Sequence, residues 1–156
     1  MPVNNVTRFL DSRGVKYAVF ELPSRKLGAE ETARLLEVPP ELIYKSIVIE
    51  RRGRGKPILA VVPGHREVDL KALAKAVGEK KVTTATQAVA EKLTGLQAGG
   101  ISPLALINKG FEIVLDASAR DQAEIHVSGG EWGFNIRLDP EDLIHITGAE
   151  MAAISR

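Results

Sequence analysis

The sequence contains no cysteine among its 156 residues, which excludes disulfide bonds, thiolate zinc sites and a cysteine nucleophile. Aromatic residues make up only 4% of the chain, and Trp132 is the sole tryptophan. An extended platform for stacking single-stranded nucleic acid is therefore hard to assemble. The N-terminal segment has no apolar run long enough for a signal peptide or a membrane span. We expect a cytoplasmic protein without a membrane partner.

The composition is that of a folded protein with its own hydrophobic core. Hydrophobic residues make up 44% and charged residues 26% of the chain, and the net charge is +1. These values lie far from the charge-rich, apolar-poor composition of disordered chains. No linker, repeat or low-complexity tract interrupts the sequence. Because the length is typical of one compact domain, we expect a single domain over residues 1–156.

Apolar periodicity and capping residues predict an α+β fold. Helices are predicted over residues 4–13, 29–38, 69–78 and 86–95, with a last helix that opens at Asp139-Pro140. Strands are predicted over residues 15–22, 43–50, 56–62, 80–85, 111–116, 123–128 and 133–138. Because the strands occur both in hairpins and between helices, we expect a mixed, barrel-like β-sheet with flanking helices.

Lys45 lies on the predicted strand 43–50, where alternate residues share a face. The other residues of its face are Ile43, Ile47 and Ile49, so Lys45 is the one charge on an apolar side. A lysine held against apolar neighbours must find an anion, reach the edge or lose its proton. Two interpretations stay open: an anion-binding site, and a side chain that reaches solvent past Ile43.

Two glycine-rich turns offer backbone N–H groups without side chains in the way. The first is segment 99–103 (GGISP), and the second is segment 127–130 (VSGG) at the end of a predicted strand. Consecutive N–H groups of this kind suit a carbonyl oxygen, an oxyanion or a phosphate. Glycine-rich turns are also common as simple chain reversals, so each turn alone is a weak indication.

The histidines give no sign of a metal site or of a nucleophilic triad. His65, His126 and His145 are far apart, and none has a second ligand at metal-binding spacing. Ser128 with His126 and Asp121 could suggest a triad. However, His126 and Ser128 are two residues apart on one strand, and no nucleophile elbow is present. We expect neither a metal nor a cofactor.

Four positive charges crowd the turn of the hairpin between residues 43 and 62: Arg51, Arg52, Arg54 and Lys56. Such a tip could contact RNA phosphates. It could equally be a solvated loop that discourages edge-to-edge pairing of strands.

Three segments in this order resemble one known family. They are residues 44–48 (YKSIV), 99–104 (GGISPL) and 125–130 (IHVSGG). The order resembles the YbaK family of transfer RNA deacylases, which is related to the editing domain of bacterial prolyl-tRNA synthetases. The likeness covers nearly the whole chain. It implies a mixed sheet with flanking helices and hydrolysis of the ester in a mischarged tRNA, with Cys-tRNA(Pro) or Ala-tRNA(Pro) as substrate.

The resemblance also implies roles for particular residues. The expected catalytic residues are Lys45, Gly99, Gly100 and Ser102. The expected substrate-binding residues are Leu22, Ser46, Ile101, Pro103, Ser128, Gly129 and Asn135. The implied partner is the 3′ aminoacyl end of a mischarged tRNA, together with a prolyl-tRNA synthetase beside which the enzyme acts in trans. DNA is not an expected partner.

An aminoacyl ester is already activated, so placement and oxyanion stabilisation are the main requirements for hydrolysis. We hypothesise that Lys45 anchors the terminal nucleotide through a phosphate or ribose contact. Backbone N–H groups of residues 99–102 would then polarise the ester carbonyl. The attacking group would be an ordered water or, for a cysteinyl substrate, the substrate's own thiol, because the motifs contain no convincing general base.

Four positions depart from the family pattern. Ser46 replaces a common threonine, Ala105 a common glycine and Asn135 a frequent aspartate, and Leu22 falls where cysteine-specific members tend to have tyrosine. These positions border the amino-acid pocket in the family, so they bear on which amino acid is removed. Two other classes of function stay open: a non-catalytic module that binds nucleotides or RNA ends, and a regulatory protein on the same fold.

Overall fold

The computed structural model describes residues 2–156, which form five α-helices and eight β-strands. The helices are α1 (Asn5–Ser12), α2 (Ala29–Leu36), α3 (Leu70–Ala76), α4 (Gln87–Thr94) and α5 (Pro140–Thr147). The strands are β1 (Tyr17–Glu21), β2 (Tyr44–Arg51), β3 (Ile58–Pro63), β4 (Val82–Thr84), β5 (Glu112–Asp116), β6 (Ile125–Ser128), β7 (Phe134–Leu138) and β8 (Glu150–Ala152). No helix in this part of the chain is long and apolar enough to cross a membrane.

The strands form two sheets. The larger sheet has the order β4-β2-β3-β5-β8 and is mixed, since β2 is antiparallel to β3 and β4 whereas β5 is parallel to β3 and β8. The smaller sheet, β1-β7-β6, is antiparallel throughout. A single parallel bridge between Ile43 and His126 connects β6 to the start of β2. This connection brings the ends of β2, β6 and β7 together.

Hydrophobic packing occurs on both faces of the larger sheet. The main cluster takes Tyr44 and Val48 from β2 and also includes Leu10, Leu115 and Ile136. A second cluster on the other face takes Ile49 from β2, together with residues of α3 and the C-terminal segment. Strand β3 is the central strand of the larger sheet and is buried along its whole length. Its neighbour β2 contributes apolar residues to both clusters, so both faces of β2 are apolar. Lys45 is the second residue of β2 and lies near the start of the strand.

The expected α+β class and mixed sheet are confirmed, and so is the hairpin between β2 and β3, in which Ile49 is opposite Ile58. The sheets do not close into a barrel in the described residues, because only the Ile43–His126 bridge joins them. The sequence did not predict β8, which has only three residues. It also missed three 3-10 turns, Pro40–Leu42, Pro103–Ala105 and Ala117–Asp121.

Candidate active site

A cavity of about 450 Å³ opens where the two sheets meet, and we call it the main cavity because residues of all three motifs line it. This volume is within the range of small-molecule sites. The cavity brings together residues from all three sequence motifs. The predicted site residues in its wall are Leu22, Lys45, Ser46, Gly99, Ile101, Ser128 and Asn135.

Lys45 is half-buried at the start of β2 and lines the cavity. Its neighbours Ile43, Tyr44 and Ile47 line the same cavity, so the wall around Lys45 is largely apolar. No carboxylate of the described residues lies within ion-pair distance of Lys45. The ammonium group is therefore available to an anionic or strongly polar ligand in the cavity.

A buried hydrogen-bonded chain holds the strand position next to Lys45. The Tyr44 hydroxyl lies 2.8 Å from Ser118 Oγ, and that Oγ donates to Asp116 Oδ2 at 2.5 Å. Asp116 is only 2% exposed and also accepts from the Ile154 amide and the Ser155 hydroxyl. Burial alone would raise the pKa of Asp116, but these donated hydrogen bonds outweigh it and lower the pKa. Burial raises the pKa of Tyr44, so its hydroxyl stays protonated.

The first glycine-rich turn is held by close backbone packing and by the sole tryptophan. The Trp132 Nε1 donates to the Ala98 carbonyl oxygen at 2.9 Å. Gly99 has φ +92°, a conformation that side chains rarely adopt, and an added Cβ would lie 3.0 Å from Lys26 Cγ. A Cβ at Gly100 would lie 3.0 Å from the Cα of Glu131. The turn therefore packs directly on segment 131–132, and both positions require glycine in this arrangement.

Within the first glycine-rich turn, one backbone N–H group is already hydrogen-bonded and two that line the cavity are free. The Gly100 N–H already donates to the Gln97 carbonyl oxygen at 2.8 Å. The N–H groups of Gly99 and Ile101, which line the cavity, donate no hydrogen bond within residues 2–156. These two amides are therefore the donors that remain for a carbonyl oxygen or an oxyanion.

Ser102 and Pro103 lie behind the cavity wall and do not line it. The Ser102 side chain is fully buried, and its Oγ accepts from the Leu104 amide at 3.1 Å. Pro103 is the first residue of the short 3-10 turn that this serine caps. Both residues shape the chain that follows the glycine-rich turn.

The second glycine-rich turn joins β6 to β7. Ser128 lines the main cavity and is the Cα partner of Asn135 in the antiparallel pair. Gly129 does not line this cavity; its amide donates to the Phe134 carbonyl oxygen, and an added Cβ would lie 2.6 Å from Phe134 Cβ. The Gly129 carbonyl oxygen accepts from Asn4 Nδ2 at 2.9 Å. Gly129 therefore requires glycine for close packing.

Asn135 and His126 form a buried pair beside the cavity. His126 Nδ1 lies 2.7 Å from Asn135 Oδ1, and the two side chains are 1% and 5% exposed. Burial lowers the pKa of His126; the bond to Asn135 opposes that effect and the charge of Arg137 adds to it. His126 is therefore neutral near pH 7. Within residues 2–156, Asp121 forms no hydrogen bond with His126 or Ser128.

Of the four departures from the family pattern, Leu22, Ser46 and Asn135 line the main cavity. Ala105 does not. It lines a second cavity of about 490 Å³, together with Gly129 and Gly130 of the second glycine-rich turn. The expectation that all four border one pocket is therefore wrong for Ala105, because the 3-10 turn at residues 103–105 directs the chain away from the main cavity.

Sequence reasoning missed several residues that shape the site. Gly64 lies against α2 so closely that an added Cβ would be 2.1 Å from Ala29 Cβ, and its amide donates to the Ile43 carbonyl oxygen at 2.7 Å. The Tyr44–Asp116 chain and the His126–Asn135 pair were also missed. The one available signal was Tyr44, which precedes Lys45 on a predicted apolar strand. If such a tyrosine is buried, its hydroxyl group needs a hydrogen-bond partner.

The hairpin cations divide into two groups. Arg51 has a side chain that is only 9% exposed and forms ion pairs with Glu79 and Glu112. Arg52, Arg54 and Lys56 are exposed at the turn. Only these three could contact RNA phosphates, because Arg51 is engaged within the protein. Within residues 2–156 no three His, Asp or Glu side chains come together in a group that could hold a metal ion.

The family of aminoacyl-tRNA editing domains matches residues 25–146. A protein of Enterococcus faecalis (strain ATCC 700802 / V583), EbsC, is 35% identical over 153 residues, which cover 97% of this chain and 92% of that protein. EbsC is named as a candidate Cys-tRNA(Pro)/Cys-tRNA(Cys) deacylase.

Two solved structures share the fold. A hypothetical protein, APE2540, superposes with a TM-score of 0.90 at 24% identity over 98% of this chain and 100% of that chain. A candidate trans-editing enzyme for prolyl tRNA synthetase superposes with a TM-score of 0.80 at 26% identity over 99% of each chain.

The fold, the family match and the relatives define an aminoacyl-tRNA deacylase. Within that class, the chain belongs to the aminoacyl-tRNA editing domain family, which is the YbaK family that its three motifs resemble.

Proposed function

We propose that this deacylase acts as a trans-editing enzyme, a single domain over residues 1–156 that works in the cytoplasm beside a prolyl-tRNA synthetase. Its substrate would be proline tRNA that carries cysteine or alanine. The observation that carries this proposal is the cavity that combines Lys45 with the free amides of Gly99 and Ile101. A cation and two free N–H donors suit the ester end of a charged tRNA, which has an anionic backbone and a reactive carbonyl.

In the proposed mechanism, Lys45 binds a phosphate or ribose oxygen of the terminal nucleotide. The N–H groups of Gly99 and Ile101 donate to the ester carbonyl oxygen, and they stabilise the negative charge that develops when the carbonyl carbon is attacked. Gly100 and Ser102 act indirectly, because they hold the turn in this conformation. The site supplies placement and charge stabilisation, which the activated ester needs most.

The attacking group is a water molecule or, for a cysteinyl ester, the substrate's own thiolate. Attack by water forms a bond to the carbonyl carbon and releases the ribose oxygen, which takes the proton. Attack by the thiolate forms a cyclic thioester and releases the same ribose oxygen, which takes the proton that the thiol gave up; water then opens the thioester. Neither route needs a side-chain nucleophile, and the chain has no cysteine.

The side-chain pocket supports a small, uncharged amino acid. Leu22 and Ile101 give it apolar walls, and Ser46 and Ser128 add hydroxyl groups. The name of EbsC favours cysteine. Alanine is smaller by one sulfur atom, and a pocket of this kind separates such substrates only by about 10- to 200-fold.

Deacylation of a panel of purified tRNAs tests this proposal. Proline tRNA that carries cysteine, alanine, serine or proline is incubated with the protein, and release of the amino acid is followed over time. We expect hydrolysis of the cysteinyl or alanyl species and protection of the prolyl species. Hydrolysis of prolyl-tRNA at an equal rate would contradict the editing role. A folded protein that hydrolyses none of the four would contradict the proline-tRNA substrate.

A further inference from the structure

The contact between His126 and Asn135 orients the side-chain amide of Asn135, which lies in the wall of the main cavity. His126 lies on β6 and Asn135 on β7, where Ser128 is the direct partner of Asn135 and Arg137 is the direct partner of His126. The two side chains therefore meet diagonally across the ladder, with Nδ1 and Oδ1 2.7 Å apart. Asn135 contributes to the cavity wall, whereas His126 lies behind it.

This contact fixes the tautomer of His126. An amide oxygen accepts hydrogen bonds and cannot donate, so His126 Nδ1 must carry the proton. The other ring nitrogen, Nε2, is buried and has no partner among the described residues. In this tautomer Nε2 bears a lone pair and no proton. This tautomer therefore avoids the free-energy cost of a buried N–H group that has no acceptor. The lowered pKa of His126 agrees with a neutral ring.

The same contact fixes the orientation of the Asn135 amide. Because Oδ1 is engaged by His126, Nδ2 is the group left for other contacts. Nδ2 donates to no residue in the described part of the chain, and it is not among the enclosed polar atoms that lack a partner. Asn135 therefore keeps its Nδ2 donors free for the cavity, while its Oδ1 accepts from His126.

We infer that His126 is a positioning residue for deacylation, which holds Asn135 so that its Nδ2 donates to an acceptor atom of the bound aminoacyl ester. This inference rests on the proposed function of the cavity. The acceptor is a carbonyl or ribose oxygen. The α-ammonium group of the amino acid is not a ligand of Nδ2, because both groups are hydrogen-bond donors.

A double-mutant cycle tests the coupling. His126→Phe removes the Nδ1–H and keeps a ring in the buried position, whereas His126→Asn keeps an N–H donor at nearly the same place. We expect His126→Phe to lower kcat/KM about tenfold, which corresponds to one lost hydrogen bond, and His126→Asn to stay within about threefold of wild type. In an Asn135→Ala background, His126→Phe should have less than about a twofold further effect.

Equal losses from His126→Phe in both backgrounds would show a merely structural role and overturn the inference. So would full activity of His126→Phe, because the donor would then not be needed. Circular dichroism and thermal unfolding of each variant show whether it folds at the assay temperature.

Nitrogen NMR of the wild type gives a readout that depends neither on activity nor on the folding of any variant. The chain has three histidines, and the exposed His65 and His145 serve as internal controls. We expect His126 to show a protonated Nδ1 and an unprotonated Nε2 at neutral pH. A proton on Nε2 would overturn the inference even if the protein deacylates tRNA. If the tautomer is as expected but no tRNA is hydrolysed, the proposed substrate is wrong, although the orientation of Asn135 is correct. The role of His126 in positioning the ester is then also overturned, because it depends on that substrate.

Discussion

The hydroxyl group of Tyr44 lies 2.8 Å from Oγ of Ser118, although the two residues are 74 positions apart in the chain. Through Ser118, the residue that precedes Lys45 is connected to the buried carboxylate of Asp116. This chain joins β2, which carries Lys45, to the end of β5 and to the C-terminal segment at Ile154. The position of Lys45 in the cavity wall is therefore fixed by contacts on the far side of its own strand.

Removal of the Tyr44 hydroxyl should weaken this connection. Tyr44→Phe keeps the buried ring and loses only the bond to Ser118, so we expect the free energy of unfolding to fall by about 1 kcal/mol. Denaturant unfolding at pH 7 measures the change. Tyr17→Phe is the matched control, because Tyr17 bonds to Asp11 at a more exposed site. An equal loss in both variants would argue against the buried chain.

The stability that Asp116 contributes should depend on pH. Its folded pKa is lowered, so the contribution is fully present above the unfolded pKa, about 3.9, and is lost as the pH falls through the folded value. We expect Asp116→Asn to be less stable than wild type by about 2 kcal/mol at pH 7. The difference should shrink steadily below about pH 4. Unfolding curves of both proteins between neutral and acidic pH test this, and a constant difference would contradict it.

Trp132 should matter for catalysis through the turn that it holds. Trp132→Phe loses the bond from Nε1 to the Ala98 carbonyl oxygen, and Ala98 precedes Gly99. Because the Gly99 and Ile101 amides must be well aligned, we expect kcat/KM to fall roughly tenfold while the protein stays folded. Steady-state deacylation measures this. Unchanged kinetics would mean that the turn keeps its conformation without the tryptophan.

Arg51 should stabilise the fold, whereas its neighbour Arg52 should not. Arg51 is nearly buried between Glu79 and Glu112, so Arg51→Ala leaves two partly buried carboxylates without their partner. We expect a loss of about 2 kcal/mol in the free energy of unfolding. Arg52→Ala, at an exposed position, should change it by less than about 0.5 kcal/mol. Similar values for the two variants would contradict the assignment of the ion pairs.

The local structure could largely be predicted from the sequence. Alternating apolar residues and the turn at residues 52–55 (RGRG) predicted the β2–β3 hairpin. The capping residues Asp69 and Thr86, which begin the predicted helices 69–78 and 86–95, predicted the starts of α3 and α4. Strand β8 could not be predicted, because three residues carry no periodicity and their pairing with β5 is distant in the chain. Pairing of this kind depends on tertiary packing, which overrides local preference.

The candidate site was predictable in its motifs and not in its internal contacts. Segments 44–48 and 99–103 indicated which residues meet, and the cavity contains members of both. The sequence could not show that the Gly100 amide is already bonded to Gln97, since that depends on the conformation of the turn. The diagonal contact between His126 and Asn135 depends on strand register, which the hydrophobic pattern sets only after the sheet order is known.

The most direct test of the account is the deacylation rate of Lys45→Ala on cysteinyl proline tRNA, compared with wild type and with Lys71→Ala. Lys71 is an exposed lysine on α3 and serves as the matched control. If Lys45 anchors the substrate in the cavity, kcat/KM of a folded Lys45→Ala should fall about a hundredfold or more, and Lys71→Ala should stay within about twofold. A folded Lys45→Ala that hydrolyses the substrate at the wild-type rate would contradict the account.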